Sequence, residues 1–191
     1  HWNLAQLLLQ DGDFTRGWEE YEWRWRRQDF TSPRRSFRQP LWNGEDIRGK
    51  TLLVHCEQGF GDAIQFVRFL PAVQSAGARI VLECQPELVR LFLGLPMVQA
   101  VVGTGSALPA FDAHVPLLSL PRIFGTTLHT IPKTTPYLNV HGSDVRHWRS
   151  IIAGEGPAIG VVWSGTQHLK ALRNRSCPLA QMAPLFSLPA M

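Results

Sequence analysis

The residue of this chain best placed for chemistry is an aspartate that directly follows a glycine-rich turn. The segment Thr51 to Pro71 reads TLLVHCEQGFGDAIQFVRFLP. Leu52 to Cys56 has the apolar density of a buried strand, Gln58-Gly59-Phe60-Gly61 is a turn, and a helix is predicted from Asp62. Glycine at 59 and 61 permits a sharp turn and lets a ligand approach the main chain. The Asp62 carboxylate has two readings. It is a helix cap, since Asp is a favoured N-cap and acids are stabilised by the helix dipole. Or it is a general base facing a cleft at the C-terminal edge of a sheet, where open α/β folds bind ligands.

A second set of groups follows the apolar run Ala158 to Trp163, AIGVVW, predicted as another buried strand. The loop Ser164 to Ser176 offers the Thr166 hydroxyl, Lys170, Asn174 and Arg175. Lysine gives a point charge and arginine a bidentate fork, a donor set suited to a diphosphate. The plain alternative is a solvated basic loop. A nicotinamide dinucleotide fits less well. Gly59-x-Gly61 matches part of the GxGxxG fingerprint and Glu83 stands where a ribose-binding acid would be. However, Ile64 replaces the third glycine, and Asp62 would put a carboxylate against the pyrophosphate.

These groups need elements to hold them. Trp2 to Gln10 is helical by pattern, Asp11-Gly12-Asp13 is a turn with Asp13 as N-cap, and Phe14 to Arg26 is a second helix. Its aromatic stripe, Phe14, Trp18, Tyr21 and Trp25, reads as core. Gln28 to Lys50 lacks periodicity and is predicted as a linker. Its arginines, Arg34, Arg35 and Arg38, read as a solvated face, with an anionic-ligand or acidic-lipid patch as the other reading. Beyond Asp62, strands are predicted at Arg79 to Cys84, Val98 to Val102 and within Phe111 to Leu117. Helices are predicted at Pro86 to Leu93 and Ser119 to Phe124, then a short strand or extended segment at Tyr137 to Val140. Ser143 is expected to cap a helix running to Ala153, and Pro178 to Phe186 to begin another. This alternation is that of a parallel, doubly wound α/β sheet, a Rossmann-like domain.

With 45% hydrophobic residues the chain has material for a real core, which excludes a disordered protein. A net charge of +4 is compatible with anionic partners, but no nucleic-acid-binding motif accompanies it. The three cysteines, Cys56, Cys84 and Cys177, lack metal-ligand spacing and suit a reducing compartment. No apolar run has the length of a membrane span. His1 opens inside a helical pattern and Met191 follows one, so the chain reads as a piece of a longer protein.

The motifs together carry a family resemblance. VHCEQGFGDAIQFVRFLP resembles the N-terminal motif of the glycosyltransferase family 9 enzymes, the ADP-heptose:lipopolysaccharide heptosyltransferases. GVVWSG, Lys170 and Asn174-Arg175-Ser176 are similar to the start of their donor domain. NLAQLLLQDGDF, YEWRW from Tyr21, Trp42-Asn43-Gly44, PLLSLP, FGTTL and TIP bring the chain closer still to bacterial proteins that fuse tetratricopeptide repeats to such a region. Thr166-Gln167 and Ala171-Leu172 depart from the Asn-Pro and Asn-Asp that such relatives carry.

The resemblance implies a GT-B architecture of two Rossmann-like domains. Residues 1–27 would be a terminal tetratricopeptide-like hairpin, 28–50 a linker, 51–156 the acceptor-side domain and 157–191 the start of a truncated donor-side domain. It implies inverting sugar transfer without metal or cofactor, with a nucleotide-sugar as co-substrate and Asp62 as general base. Gly59, Gly61 and Gln65 would contact substrate, and Thr166, Lys170, Asn174 and Arg175 the donor diphosphate. The acceptor would be a glycan, lipid or protein, with a protein partner on the repeats and a cytoplasmic seat, peripheral at the inner membrane. The rival reading is a repeat scaffold whose transferase-like region is degenerate and non-catalytic.

Overall fold

The computed structural model describes residues 1–152, 159–164 and 176–186. They belong to two compact units, His1–Val140 and His141–Met191.

The first unit opens with two helices. α1 (Trp2–Asp11) ends at Gly12, whose φ of 89° supplies the left-handed cap. Asp13 then caps α2 (Phe14–Tyr21), accepting the Arg16 amide at 3.1 Å. The pair crosses closely at Gly17, where a Cβ would sit 2.7 Å from Leu9 Cδ2. Past Tyr21 the predicted helix tightens into a 3₁₀ segment, Glu22–Arg26.

Four strands follow: β1 (Thr51–His55), β2 (Arg79–Cys84), β3 (Val98–Gly103) and β4 (Ala113–Pro116). All pairings are parallel and the order is β3-β2-β1-β4, compatible with a Rossmann-like fold. The helical connections are α3 (Phe60–Phe66), α4 (Leu70–Ser75) and α5 (Val89–Phe92), with α6 (Leu120–Ile123) after β4. Alternation along the strands sends Leu52, Val54, Ile80, Leu82 and Val115 into one apolar core with Phe66, Leu70, Val73 and Phe92. The opposite face carries Leu53, His55, Glu83 and His114.

That second face is covered by chain predicted as a linker. Pro40 to Trp42 runs beside β4: the Pro40 carbonyl accepts the His114 amide, and the Trp42 amide donates to the His114 carbonyl at 2.8 Å. Trp42 and Ile47 are buried in the helix-side core, so residues 28–50, largely exposed and without a helix or strand, are anchored to the first unit at these points. Tyr137 to Val140 forms no strand.

In the second unit, α7 (Gly142–Ile152) starts as the His141 carbonyl accepts the Asp144 and Val145 amides, so Ser143 lies inside the first turn and not at the cap. Leu179–Met182 is a 3₁₀ turn leading into α8 (Ala183–Phe186). The predicted strand at AIGVVW is absent over Ile159 to Trp163, and Val162 is 90% exposed. The reason is physical: among the described residues of this unit no other strand offers a ladder or an apolar layer. Among the described residues no helix is long and apolar enough to cross a membrane.

Candidate functional site

The site is built where β1 runs out. The turn takes its sharp bend at Gln58, with φ of 62°, and not at the glycines. Gly59 is extended at φ −90° and a Cβ at Gly61 would meet nothing, so neither glycine is demanded by the backbone. A non-glycine residue in the left-handed region costs free energy and persists only when its surroundings hold it. Gln58 is held three ways. Its amide donates to Ser32 Oγ at 2.7 Å, its Nε2 donates to the Tyr21 hydroxyl at 2.8 Å, and its carbonyl accepts from Gln85 Nε2 at 3.0 Å.

α3 begins at Phe60, two residues before the predicted start, and Asp62 stands in its first turn. The carboxylate reaches back: Oδ2 accepts the Gly59 amide at 3.0 Å. This is the acid half of a capping box: the N-cap itself is Gly59, so Asp62 is not the expected N-cap but the third helical residue, reaching back to cap the helix from inside it. Gly61 and Gln65 are exposed, and the Gln65 carbonyl accepts from Arg68 Nε.

The arginine-rich stretch is where sequence reasoning erred most. Arg24 is fully buried. Its Nε and one terminal nitrogen donate to Glu57 Oε1 at 2.9 and 2.6 Å, that nitrogen also donates to Ser119 Oγ, and the other donates to Glu22 at 2.8 Å. The YEWRW and EQG motifs are thus one buried ion pair joining the helical pair to the end of β1. Arg35, expected in a solvated face, donates to both oxygens of the buried Glu83 at 2.5 and 2.6 Å. That contact occupies the acid read as a possible ribose ligand. An acid preceding a glycine turn and an arginine between two tryptophans were the available signals for the Arg24–Glu57 pair. Burial pushes the Glu57 carboxyl up to about 7 against the pull of Arg24, and its Oε2 has no hydrogen-bond partner.

On the same face, His55 Nε2 and His114 Nδ1 lie 3.3 Å apart, one donating to the other, and both rings are buried. Burial, then His114, Arg35 and Arg24, hold His55 down at about 3; burial and Arg35 lower His114. Both imidazoles are neutral near pH 7. Phe37 packs edge-on against His114 with ring centroids 4.9 Å apart.

Two cavities open over this edge. One, of about 480 Å³, lies over the ends of β1 and β2 and is lined by Glu57, Gln58, Phe60, Glu83 and Gln85 among others. The other, of about 340 Å³, lies over the ends of β1 and β4 and is lined by Arg26, Arg34, His114 and Pro116 among others. Trp25, Arg35 and His55 line both. Asp62, Gly59, Gly61 and Gln65 line neither. Cys84 is fully buried and Cys56 half-buried in the wall of the larger cavity, and desolvation raises both thiols, Cys84 to about 11, which keeps them protonated near pH 7. Among the described residues no group of His, Cys, Asp and Glu side chains forms a metal site. Thr166, Lys170, Asn174 and Arg175 lie outside the described residues.

No protein-family model matches the chain. No solved structure matches it. Among curated proteins it is similar to Protein FlbA of Caulobacter vibrioides, 27% identical over 208 aligned residues. The alignment takes in 98% of this chain and 35% of that protein, so the chain spans about a third of the length of the curated relative it matches.

Proposed function

We propose that this chain is the acceptor-side part of a repeat-fused, inverting glycosyltransferase of the heptosyltransferase-like type. The observation that carries the reading is the strand order: it sets both cavities and the Gly59–Asp62 turn at the C-terminal edge of a parallel sheet, where open α/β folds take ligands. In this reading α1 and α2 are the terminal tetratricopeptide-like hairpin, and residues 157–191 lead into a donor-side Rossmann-like domain that completes a GT-B cleft. The protein works in the cytoplasm on a nucleotide-sugar, without a metal.

Asp62 is the proposed base. One of its oxygens is fixed by the Gly59 amide, which orients the other. It takes the proton of an acceptor hydroxyl as that oxygen attacks the anomeric carbon. The bond from that carbon to the diphosphate breaks, and the nucleoside diphosphate leaves with the electron pair. Lys170, Arg175, Asn174 and Thr166 meet the charge growing on the leaving group.

A specific observation favours the second reading, a repeat scaffold with a non-catalytic transferase-like region: Asp62 is engaged as a cap and lines neither cavity. One experiment separates the two. The full-length protein is incubated with ADP-, GDP-, UDP- and dTDP-sugars and nucleotide release is followed for wild type and Asp62→Asn. Transfer predicts release with one nucleotide class, lowered about 100-fold or more in the variant. Undiminished release in Asp62→Asn removes the aspartate from the mechanism. No release and no nucleotide binding by calorimetry leaves the scaffold.

A further inference from the structure

We propose that the cavity between the ends of β1 and β4 binds an anionic group, a carboxylate or a phosphate, carried on a substrate with an apolar flank. This site rests on the acceptor-side reading above and gives its acceptor a charge.

The first ground is unspent positive charge. Arg26, Arg34 and Arg35 all line the cavity. Arg35 is committed to Glu83. Arg34 gives one N–H to the Trp25 carbonyl, and Arg26 lies over the Trp23 ring at 4.1 Å from its centroid. Neither Arg26 nor Arg34 makes an ion pair among the described residues. Glu22 is the acid of the lining, and Arg24 already holds it at 2.8 Å. The two histidines of the lining are neutral. What remains is two guanidiniums on the cavity wall, each a group able to bind carboxylate or phosphate in two parallel hydrogen bonds.

The second ground is place. Strand order reverses between β1 and β4, and such a switch point is where an open α/β sheet leaves a crevice for a ligand. The third is contrast. In the neighbouring cavity Arg24 holds Glu57 and Arg35 holds Glu83, and Glu87 is the acid without an ion pair among the described residues, so the uncompensated charge there is negative and on the arginine side positive. Trp25, Leu41 and Pro116 complete the lining, and Leu41 is 56% exposed, which supplies an apolar wall beside the charge. At about 340 Å³ the cavity is within the size range of small-molecule sites.

Calorimetry with glucose 6-phosphate, glucuronate and methyl glucoside tests the site on the full-length protein. At least one of the two anionic sugars is expected to bind, and the tighter one identifies the anion as phosphate or carboxylate. Arg26→Gln/Arg34→Gln is expected to weaken that binding about tenfold or more, and methyl glucoside to bind about tenfold or more weaker than the anion. Arg79→Gln, at the opposite edge of the sheet, is expected to change nothing. Circular dichroism melting of each variant confirms that the fold is kept. Equal binding of the neutral sugar, an unaffected double variant, an equal loss in Arg79→Gln, or no binding of either anion overturns the proposal. Anion binding that depends on the two arginines without any nucleotide release keeps this site and removes the transferase reading. Release without an effect of the arginines does the reverse.

Discussion

The two faces of the sheet are held by different physics. The helix-covered face is apolar throughout: Leu52, Val54, Ile80, Leu82 and Val115 meet Phe66, Leu70, Val73 and Phe92. The face and edge under residues 21–42 are held by paired charges and rings: Arg24 with Glu57, Arg35 with Glu83, His55 with His114, and Phe37 across the histidines. Apolar burial is non-directional and makes a stable layer. Buried ion pairs are costly to desolvate and add little net stability, but they demand one geometry. The helix-covered layer supplies the fold's stability, and the polar face positions the groups around both cavities.

Breaking the polar face at its most buried point is expected to have the largest effect. Arg24→Met leaves Glu57 buried beside Ser119 with no cation, so that it must take up a proton to stay inside, and should lower unfolding free energy by ~4 kcal/mol in urea titrations. Adding Glu57→Leu should restore most of the loss, because an apolar pair of similar volume replaces a desolvated one. A double variant as unstable as the single would mean that the pair itself, and not the stranded acid, sustains the structure.

On the apolar face, Leu82→Ala should cost ~3 kcal/mol through lost burial and a residual cavity, equally at pH 5 and pH 7. A pH-dependent loss there would erase the distinction between the faces.

Titration sharpens the comparison with a smaller effect. His55 is held at about 3 in the fold against 6.5 in the open chain. Its contribution is therefore full above the unfolded value and is lost as pH falls towards 3. Glu57 runs the other way. Raised to about 7 from 4.5, it contributes at low pH, and that contribution is lost as pH rises through 7. Between pH 7 and 5 each amounts to about 2 kcal/mol with opposite sign, so these two largely cancel in the wild type, and the lowered His114 adds a further loss on acidification. His55→Phe should gain stability from pH 7 to pH 5 by about 2 kcal/mol, and Glu57→Gln should lose about as much. Flat profiles in both variants would place these groups in water instead of in the interior.

How much of this was legible follows the same division. The strands at 52, 79, 98 and 113 and the helices between them could be read because apolar density and breaker residues are local signals, fixed by a few neighbours in sequence. The polar face could not. Arg24 meets a partner 33 residues away and Arg35 one 48 residues away, and in one dimension both look like members of a solvated basic run. The fold alone tells a buried arginine from an exposed one. Asp62 was legible as a cap, since that interaction spans three residues, and the glycines beside it misdirected attention from Gln58. AIGVVW failed for the converse reason. An apolar run announces a wish for neighbours, and Ile159 to Trp163 has no strand beside it among the described residues of its unit.

The left-handed Gln58 has a consequence in time. Its three restraints come from Tyr21, Ser32 and Gln85, segments that meet only when the helical pair, residues 28–50 and β2 have all docked. Until then φ relaxes to negative values and the head of α3 has no fixed direction. The turn is therefore fully held only once the last of these three segments has docked, and undocking of any one of them loosens it.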